Sequence, residues 1–75
     1  MRENLSPSEQ IGLRLKILRV EHTFSTEEVA RMTNLTRHRV ANLERGSSEQ
    51  PLYLIIRLSL LYGVSLNYII TGKNH

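Results

Sequence analysis

Side chains that form hydrogen bonds recur at a helical spacing in the stretch from Thr36 to Gly46, TRHRVANLERG. At about 100° per residue, an α-helix would place Val40 and Leu43 on one side and leave Glu44 near that buried edge. The opposite side carries His38, Ala41, Asn42 and Arg45, with Arg37 and Arg39 at its flanks. Arginine pairs with guanine and asparagine with adenine through two hydrogen bonds in the major groove. The pattern is therefore typical of a helix that contacts base edges of DNA.

Two capped helices precede this stretch and must position it. Ser6 is suited to the N-cap of a first helix, with Pro7 at its first position and Glu9 completing a capping box. Ser25 and Glu28 form a second capping box in the same way. We therefore predict helices over about 7–21 and 26–32.

The remaining helices are delimited by residues that favour turns. Asn34 tolerates a positive φ and can form the tight turn before the next helix. Thr36 suits an N-cap and Gly46 a C-terminal cap, which predicts a helix over 36–45. Pro51 and Gly63 bound a fourth helix over 51–62, and a short fifth helix follows over 65–70.

Length and composition predict one small all-α domain over residues 1–75, a compact five-helix bundle that contains a helix-turn-helix. The chain has no cysteine, which excludes disulfides and thiolate metal sites. Its net charge is +3 with a pI near 9.8. Between Ile11 and Arg45 there are seven Arg or Lys residues against four Glu, so the basic surplus surrounds the candidate helix.

Membrane association and secretion are not expected. The polar N-terminus lacks the apolar run of a signal peptide. The most apolar segment, Leu52 to Tyr62, is interrupted by Arg57 and Ser59 and is too short to cross a bilayer. A cytoplasmic location is predicted.

An enzyme or a metal site is not expected either. The spacing of His22, His38 and His75 fits no known metal site. Ser25 and Thr36 serve as helix caps, without a surrounding set of acids and bases. We therefore predict no catalytic residue, cofactor, metal or small-molecule ligand.

Four segments of the chain occur in a characteristic order: IGxRLxxLR from Ile11, SxEEVA from Ser25, LTRxxVxxLERG from Leu35 and GVSL from Gly63. Together they resemble the Cro/C1-type (XRE-like) helix-turn-helix family of bacterial and phage transcriptional regulators. The resemblance covers roughly residues 8–72 and implies a lambda-repressor-like domain. It also implies a bacterial, phage or plasmid origin.

The resemblance implies a role for each residue of the motif. Base contacts would come from Arg37, His38 and Asn42, with Ala41 close to a thymine methyl group. Phosphate contacts would come from Thr26, Thr36 and Arg45, and Arg39 flanks the same face as a further phosphate candidate. Arg19 and Glu44 match a structural ion pair that ties the first helix to the recognition helix.

The sequence departs from the family pattern at two positions. The motif often begins with Gln, whereas Thr26 stands here; its hydroxyl can reach a phosphate but lacks the longer contact of Gln. The tight turn usually has Gly, whereas Asn34 stands here, at a modest conformational cost.

The fourth helix is apolar at almost every position. We expect one side of this helix to be buried, namely Leu52, Ile55, Leu58 and Tyr62. Apolar side chains then remain on its solvent-exposed side. Such an apolar surface is typical of an interface. The predicted dimer surface consists of Tyr53, Leu54, Leu60, Leu61, Tyr68 and Ile70. A more deeply buried helix is the alternative.

Two functions from different classes follow. The first is a sequence-specific regulator that binds double-stranded DNA as a homodimer, with its half-sites about one helical turn apart. The second is a protein-interaction module (a corepressor, an antitoxin or a regulator of another DNA-binding protein) that uses the apolar fourth helix. The basic recognition face favours the first.

Overall fold

A computed structural model describes residues 4–47 and 49–73. The predicted domain over residues 1–75 includes positions outside the described residues, among them Ser48 and His75. Five helices follow one another along the chain: α1 Pro7–Glu21, α2 Thr26–Thr33, α3 Arg37–Arg45, α4 Leu52–Tyr62 and α5 Leu66–Thr71. The described residues form no strand, which confirms the all-α fold. None of the helices in this part of the chain has the length and apolarity needed to cross a membrane.

Local caps explain where the first three helices begin. The Ser6 hydroxyl accepts a hydrogen bond from the Glu9 N–H at 3.2 Å, and the Glu9 carboxylate accepts one from the Ser6 N–H at 2.9 Å. Ser25 and Glu28 make the same reciprocal pair at 3.0 and 2.8 Å. The Thr36 hydroxyl caps α3. Each cap satisfies backbone donors that a short helix would otherwise leave unpaired.

The turn between α2 and α3 depends on Asn34. Its backbone is left-handed, with φ 60° and ψ 40°. The next N–H, that of Leu35, donates to the Ala30 carbonyl at 2.8 Å and closes the turn. Asparagine adopts this conformation more readily than most residues, and so it replaces the usual glycine here.

A single core joins all five helices. Its buried members are Leu15, Leu18, Val29, Ala30, Val40, Leu43, Leu54, Ile55, Leu58, Tyr62 and Ile69. In this core α3 packs mainly against α1 and α2, while α5 packs against α1 and α4. Burial of Val40 and Leu43 turns the polar side of α3 away from the core, as the sequence predicts.

The backbones of α1 and α3 approach each other closely at Gly12. A Cβ atom on Gly12 would lie 2.8 Å from the Leu43 carbonyl oxygen, so only glycine fits without a shift. Gln50 adds a second connection, because its Nε2 donates to the Leu43 and Ser8 carbonyls at 2.9 Å each. These contacts fix the orientation of α3 on α1.

The predicted register of α4 is wrong at two positions. Leu54, predicted at the dimer surface, is only 1% exposed, whereas Leu52, predicted in the core, is 57% exposed. Every α4 residue except Arg57 and Ser59 is apolar, so the sequence pattern has little contrast to define which side is buried. Packing against α2, α5 and α1 decides the rotation and also buries Ser59.

A stripe of apolar side chains remains on the outer side of α4. We call it the α4 stripe; it consists of Leu52, Tyr53, Ile56 and Leu60. Two other residues of the predicted dimer surface, Leu61 and Tyr68, are half-buried and pack against the core, whereas Ile70 is exposed.

Candidate nucleic-acid interface

The outward face of α3 carries the side chains that the sequence singles out. Arg37, His38 and Arg45 are exposed, and Asn42 and Ala41 are half-buried between them. This face results from the helical period, because Val40 and Leu43 on the opposite side of α3 enter the core. It presents hydrogen-bond donors together with one methyl group, a combination that suits the major groove.

Arg39 and Thr36 lie at the margins of this face. Arg39 is half-buried at the edge of α3. Thr36 precedes the helix, where its hydroxyl accepts the Arg39 N–H at 3.0 Å. The Thr36 hydroxyl can still donate its own proton to an anion such as a phosphate.

Three residues of the face have polar partners close to them. Arg37 lies 3.6 Å from the Glu27 carboxylate, and both side chains are about two-thirds exposed, at 69% and 66%. Arg45 Nη1 donates to Asn42 Oδ1 at 3.0 Å. The first is a loose surface pair, whereas the second connects two predicted DNA contacts.

A cleft of about 260 Å³ lies where α1, α2 and α3 meet. It is lined by Lys16, Arg19, Thr26, Ala41, Glu44 and Arg45. The structure thus brings Thr26, at the start of α2, together with Ala41 and Arg45 of α3. Lys16 also lines this cleft, although the sequence prediction did not assign it a role. Its position one helical turn before Arg19 could have indicated it, since residues three apart share a helix face.

Arg19 and Glu44 form a bidentate ion pair between α1 and α3. Arg19 Nε donates to Glu44 Oε2 at 2.7 Å and Nη2 donates to Oε1 at 3.1 Å. The side chains are only 14% and 9% exposed. Arg19 Nη1 also donates to the Phe24 carbonyl at 3.0 Å. The hydrogen bonds that Arg19 donates to Glu44 raise the pKa of Arg19 above its ordinary value, although desolvation opposes this shift.

This pair changes the charge of the outward face of α3. Glu44 is the only acid in α3, and its carboxylate is turned toward Arg19 rather than outward. The cations Lys16, Arg37 and Arg45 remain at the surface. The Glu44 carboxylate, buried and paired, repels an anion at this face less than an exposed carboxylate would.

Tyr62 is buried close to the same pair. Burial raises the pKa of its hydroxyl above the ordinary value, and the negative charge of Glu44 raises it further. The Tyr62 ring also packs on His22, with centroids 5.3 Å apart. The hydroxyl is therefore neutral in the folded protein at physiological pH.

In the described ranges, no three His, Cys, Asp or Glu side chains are grouped so that they could hold a metal ion. The candidate site therefore consists of the α3 face and the cleft beside it.

The arrangement of α2, a tight turn and α3 corresponds to a known class of domain. The sequence matches the helix-turn-helix domain family over residues 12–75. The chain belongs to this family. The helix-turn-helix consists of α2 and α3, and α3 occupies the place of the second helix, which enters the major groove in such motifs.

Two solved structures are similar to this helix-turn-helix domain. The clp gene regulator ClgR from C. glutamicum has a TM-score of 0.80 and 21% identity, covering 88% of this chain and 86% of that chain. The restriction-modification controller protein C.AhdI from Aeromonas hydrophila has a TM-score of 0.76 and 28% identity, and the match covers 81% of this chain and 92% of that chain. No curated protein sequence matches significantly. The resemblance to the Cro/C1-type (XRE-like) family is confirmed.

Proposed function

We propose that this DNA-binding transcriptional regulator binds a two-fold symmetric operator as a homodimer, with α3 of each copy in the major groove. One observation carries the proposal. The outward face of α3 presents Arg37, His38 and Asn42, while its single carboxylate, that of Glu44, is held by Arg19. Such a face offers donors to base edges and phosphates without a facing acid on the same helix.

Specificity would come from four residues of α3. Arg37 would pair with guanine and Asn42 with adenine, the partners that their hydrogen-bonding groups match. His38 is exposed in the first turn of α3, and Ala41 would contact a thymine methyl group.

Affinity would come from contacts to the DNA backbone. The phosphate ligands would be Thr26, Thr36, Arg39 and Arg45, to which the structure adds Lys16 as a candidate. Lys16 and Arg45 line the cleft at whose edge α2 begins. Positive side chains next to a helix N-terminus favour an anion there.

The burial of individual side chains leads us to revise the proposed dimer surface. Leu54 is removed from the prediction because it is buried, and the exposed Ile70 of α5 is retained. The α4 stripe becomes the main candidate. Contiguous apolar area of this kind usually marks an interface, and two-fold symmetry lets one stripe pack against its copy.

A selection from randomised double-stranded DNA at moderate salt tests the function. We expect a near-palindrome with half-sites about one helical turn apart. Arg37→Ala and Asn42→Ala should each relax the base preference at one position of the operator. Each should weaken the free energy of binding to the selected site by about 1–3 kcal/mol. Arg31→Ala, which removes an exposed arginine near the end of α2, is the matched control and should select the same site.

Failure of a folded protein to enrich any sequence would contradict the proposed operator and favour the protein-interaction alternative. Salt then separates the two functions. The affinity of a DNA-binding regulator falls steeply as salt is added, whereas an interaction module shows little affinity for mixed DNA at any salt.

The dimer has its own test. Leu60→Glu places a charge on the most exposed residue of the α4 stripe and should convert the dimer to a monomer, measured by sedimentation. Val20→Glu changes an exposed apolar residue of α1 and should leave the mass unchanged. A wild-type monomer at micromolar concentration, both free and on its operator, would contradict the proposed dimer.

A further inference from the structure

The hydrogen bond between Arg45 and Asn42 determines which way the Asn42 amide points. Arg45 Nη1 lies 3.0 Å from Asn42 Oδ1 across one turn of α3. A guanidinium group has donors only, so the amide atom that faces it must be the oxygen. The Nδ2 amino group is therefore turned away from Arg45.

This orientation matches what adenine requires. An asparagine that binds adenine accepts from N6 through Oδ1 and donates to N7 through Nδ2. A carbonyl oxygen has two lone pairs, so Oδ1 can accept from Arg45 and from adenine together. A flipped amide would place its amino group against both the guanidinium and N6, donor against donor.

Arg45 has donors to spare for this role. One of its five N–H groups binds Asn42, and its side chain is exposed beside the cleft. The other N–H groups can bind a phosphate at the same time. A phosphate bound there would hold the guanidinium in place and, through it, the amide of Asn42.

We propose that Arg45 is a positioning residue for Asn42 and thereby a determinant of base preference, in addition to a phosphate ligand. The inference rests on the proposed function, because it concerns an operator that Asn42 contacts. It distinguishes Arg45 from the other arginines of α3. The structure gives Arg37 a carboxylate partner on α2, and among the described residues Arg39 makes no hydrogen bond with Asn42 through its side chain.

The test compares two operators. The first is the selected sequence, and the second differs only at the base pair whose preference is lost in Asn42→Ala, which we expect to be an A·T pair. The ratio of the two affinities measures the discrimination due to Asn42. A good asparagine–adenine contact corresponds to a ratio of about 5- to 150-fold.

Arg45→Met removes both the donor and the charge. We expect the ratio to fall at least about threefold, because the amide is no longer held in the orientation that matches adenine. Arg39→Met is the matched control: it removes one charge from the same helix, so both affinities fall together and the ratio is unchanged. Arg45→Lys retains a donor and the charge and should recover part of the ratio.

A double-mutant cycle completes the experiment. In an Asn42→Ala background the ratio is close to one, and adding Arg45→Met should not change it further. An unchanged ratio in the Arg45→Met single variant would overturn the inference while leaving the proposed operator intact. A wild-type protein without any preferred operator would overturn both. Circular dichroism verifies that each variant is folded.

Discussion

Replacement of Glu44 by Ala should destabilise the protein much more than loss of a surface charge does. It would leave the guanidinium of Arg19, a side chain that is 14% exposed, without its carboxylate. Removing one partner of a fully buried pair costs about 3–5 kcal/mol. Residual exposure and the remaining bond to the Phe24 carbonyl reduce this, so we expect about 2–3 kcal/mol for this site. For a domain of this size the melting temperature should fall by about 10–20 °C.

Urea and thermal unfolding monitored by circular dichroism measure the effect. The double variant Arg19→Met/Glu44→Met removes both charges and should recover most of the lost stability, to within about 1 kcal/mol of the wild type. The single variants Arg19→Met and Glu44→Met complete the cycle. Because each should lose stability that the double variant recovers, the coupling energy should be at least about 2 kcal/mol.

The exposed pair Arg37–Glu27 is the matched control. Its atoms are 3.6 Å apart and both side chains are largely in water, so its coupling energy should stay below about 0.5 kcal/mol. If the free energy of unfolding of Glu44→Ala lies within about 0.5 kcal/mol of the wild-type value, the Arg19–Glu44 pair behaves like this surface pair. The Arg19–Glu44 pair would then contribute little to holding α3 on α1.

Three further predictions concern stability. Gly46→Ala should lower the free energy of unfolding in urea by about 3 kcal/mol, because its Cβ would lie 2.6 Å from the α1 backbone. Gly63→Ala, with a similar positive φ but open space around it, should lower it by about 1 kcal/mol; equal losses would show that the close approach is unimportant. The raised pKa of Tyr62 contributes stability that is complete below about pH 10 and is lost as the pH rises further, so Tyr62→Phe should flatten the alkaline decline in melting temperature. Tyr53→Phe, at a residue that is 62% exposed, should keep the wild-type profile. Thr23 has φ 60°, so Thr23→Gly should raise the melting temperature by a few degrees, and a lower value would contradict strain there.

Local sequence determined where the helices begin and end. Caps such as Ser6 and Ser25 act on backbone groups three residues away, and the turn at Asn34 needs only a residue that tolerates a positive φ. The observed helix bounds differ from the predicted ones by one residue or none at each end. Interactions of such short range are visible in sequence because they do not depend on how the helices pack.

The two sides of α3 were predictable for a related reason. Val40 and Leu43 contrast clearly with the polar residues around them, so the helical period alone indicates which side enters the core. The site residues on the opposite side follow from that contrast, together with the family motif that contains them.

Tertiary structure alone decided the rotation of α4 and the contacts between side chains at the interface. The apolar residues of α4 surround the helix, so only packing against its neighbours could bury Leu54 and expose Leu52. Lys16 enters the cleft because α1 crosses α3 at Gly12, and the bond from Arg45 to Asn42 depends on side-chain rotamers. The physical reason is that these features depend on contacts between residues far apart in the sequence. Sequence patterns indicate the local preferences of each helix, and these do not specify which surfaces of two helices meet.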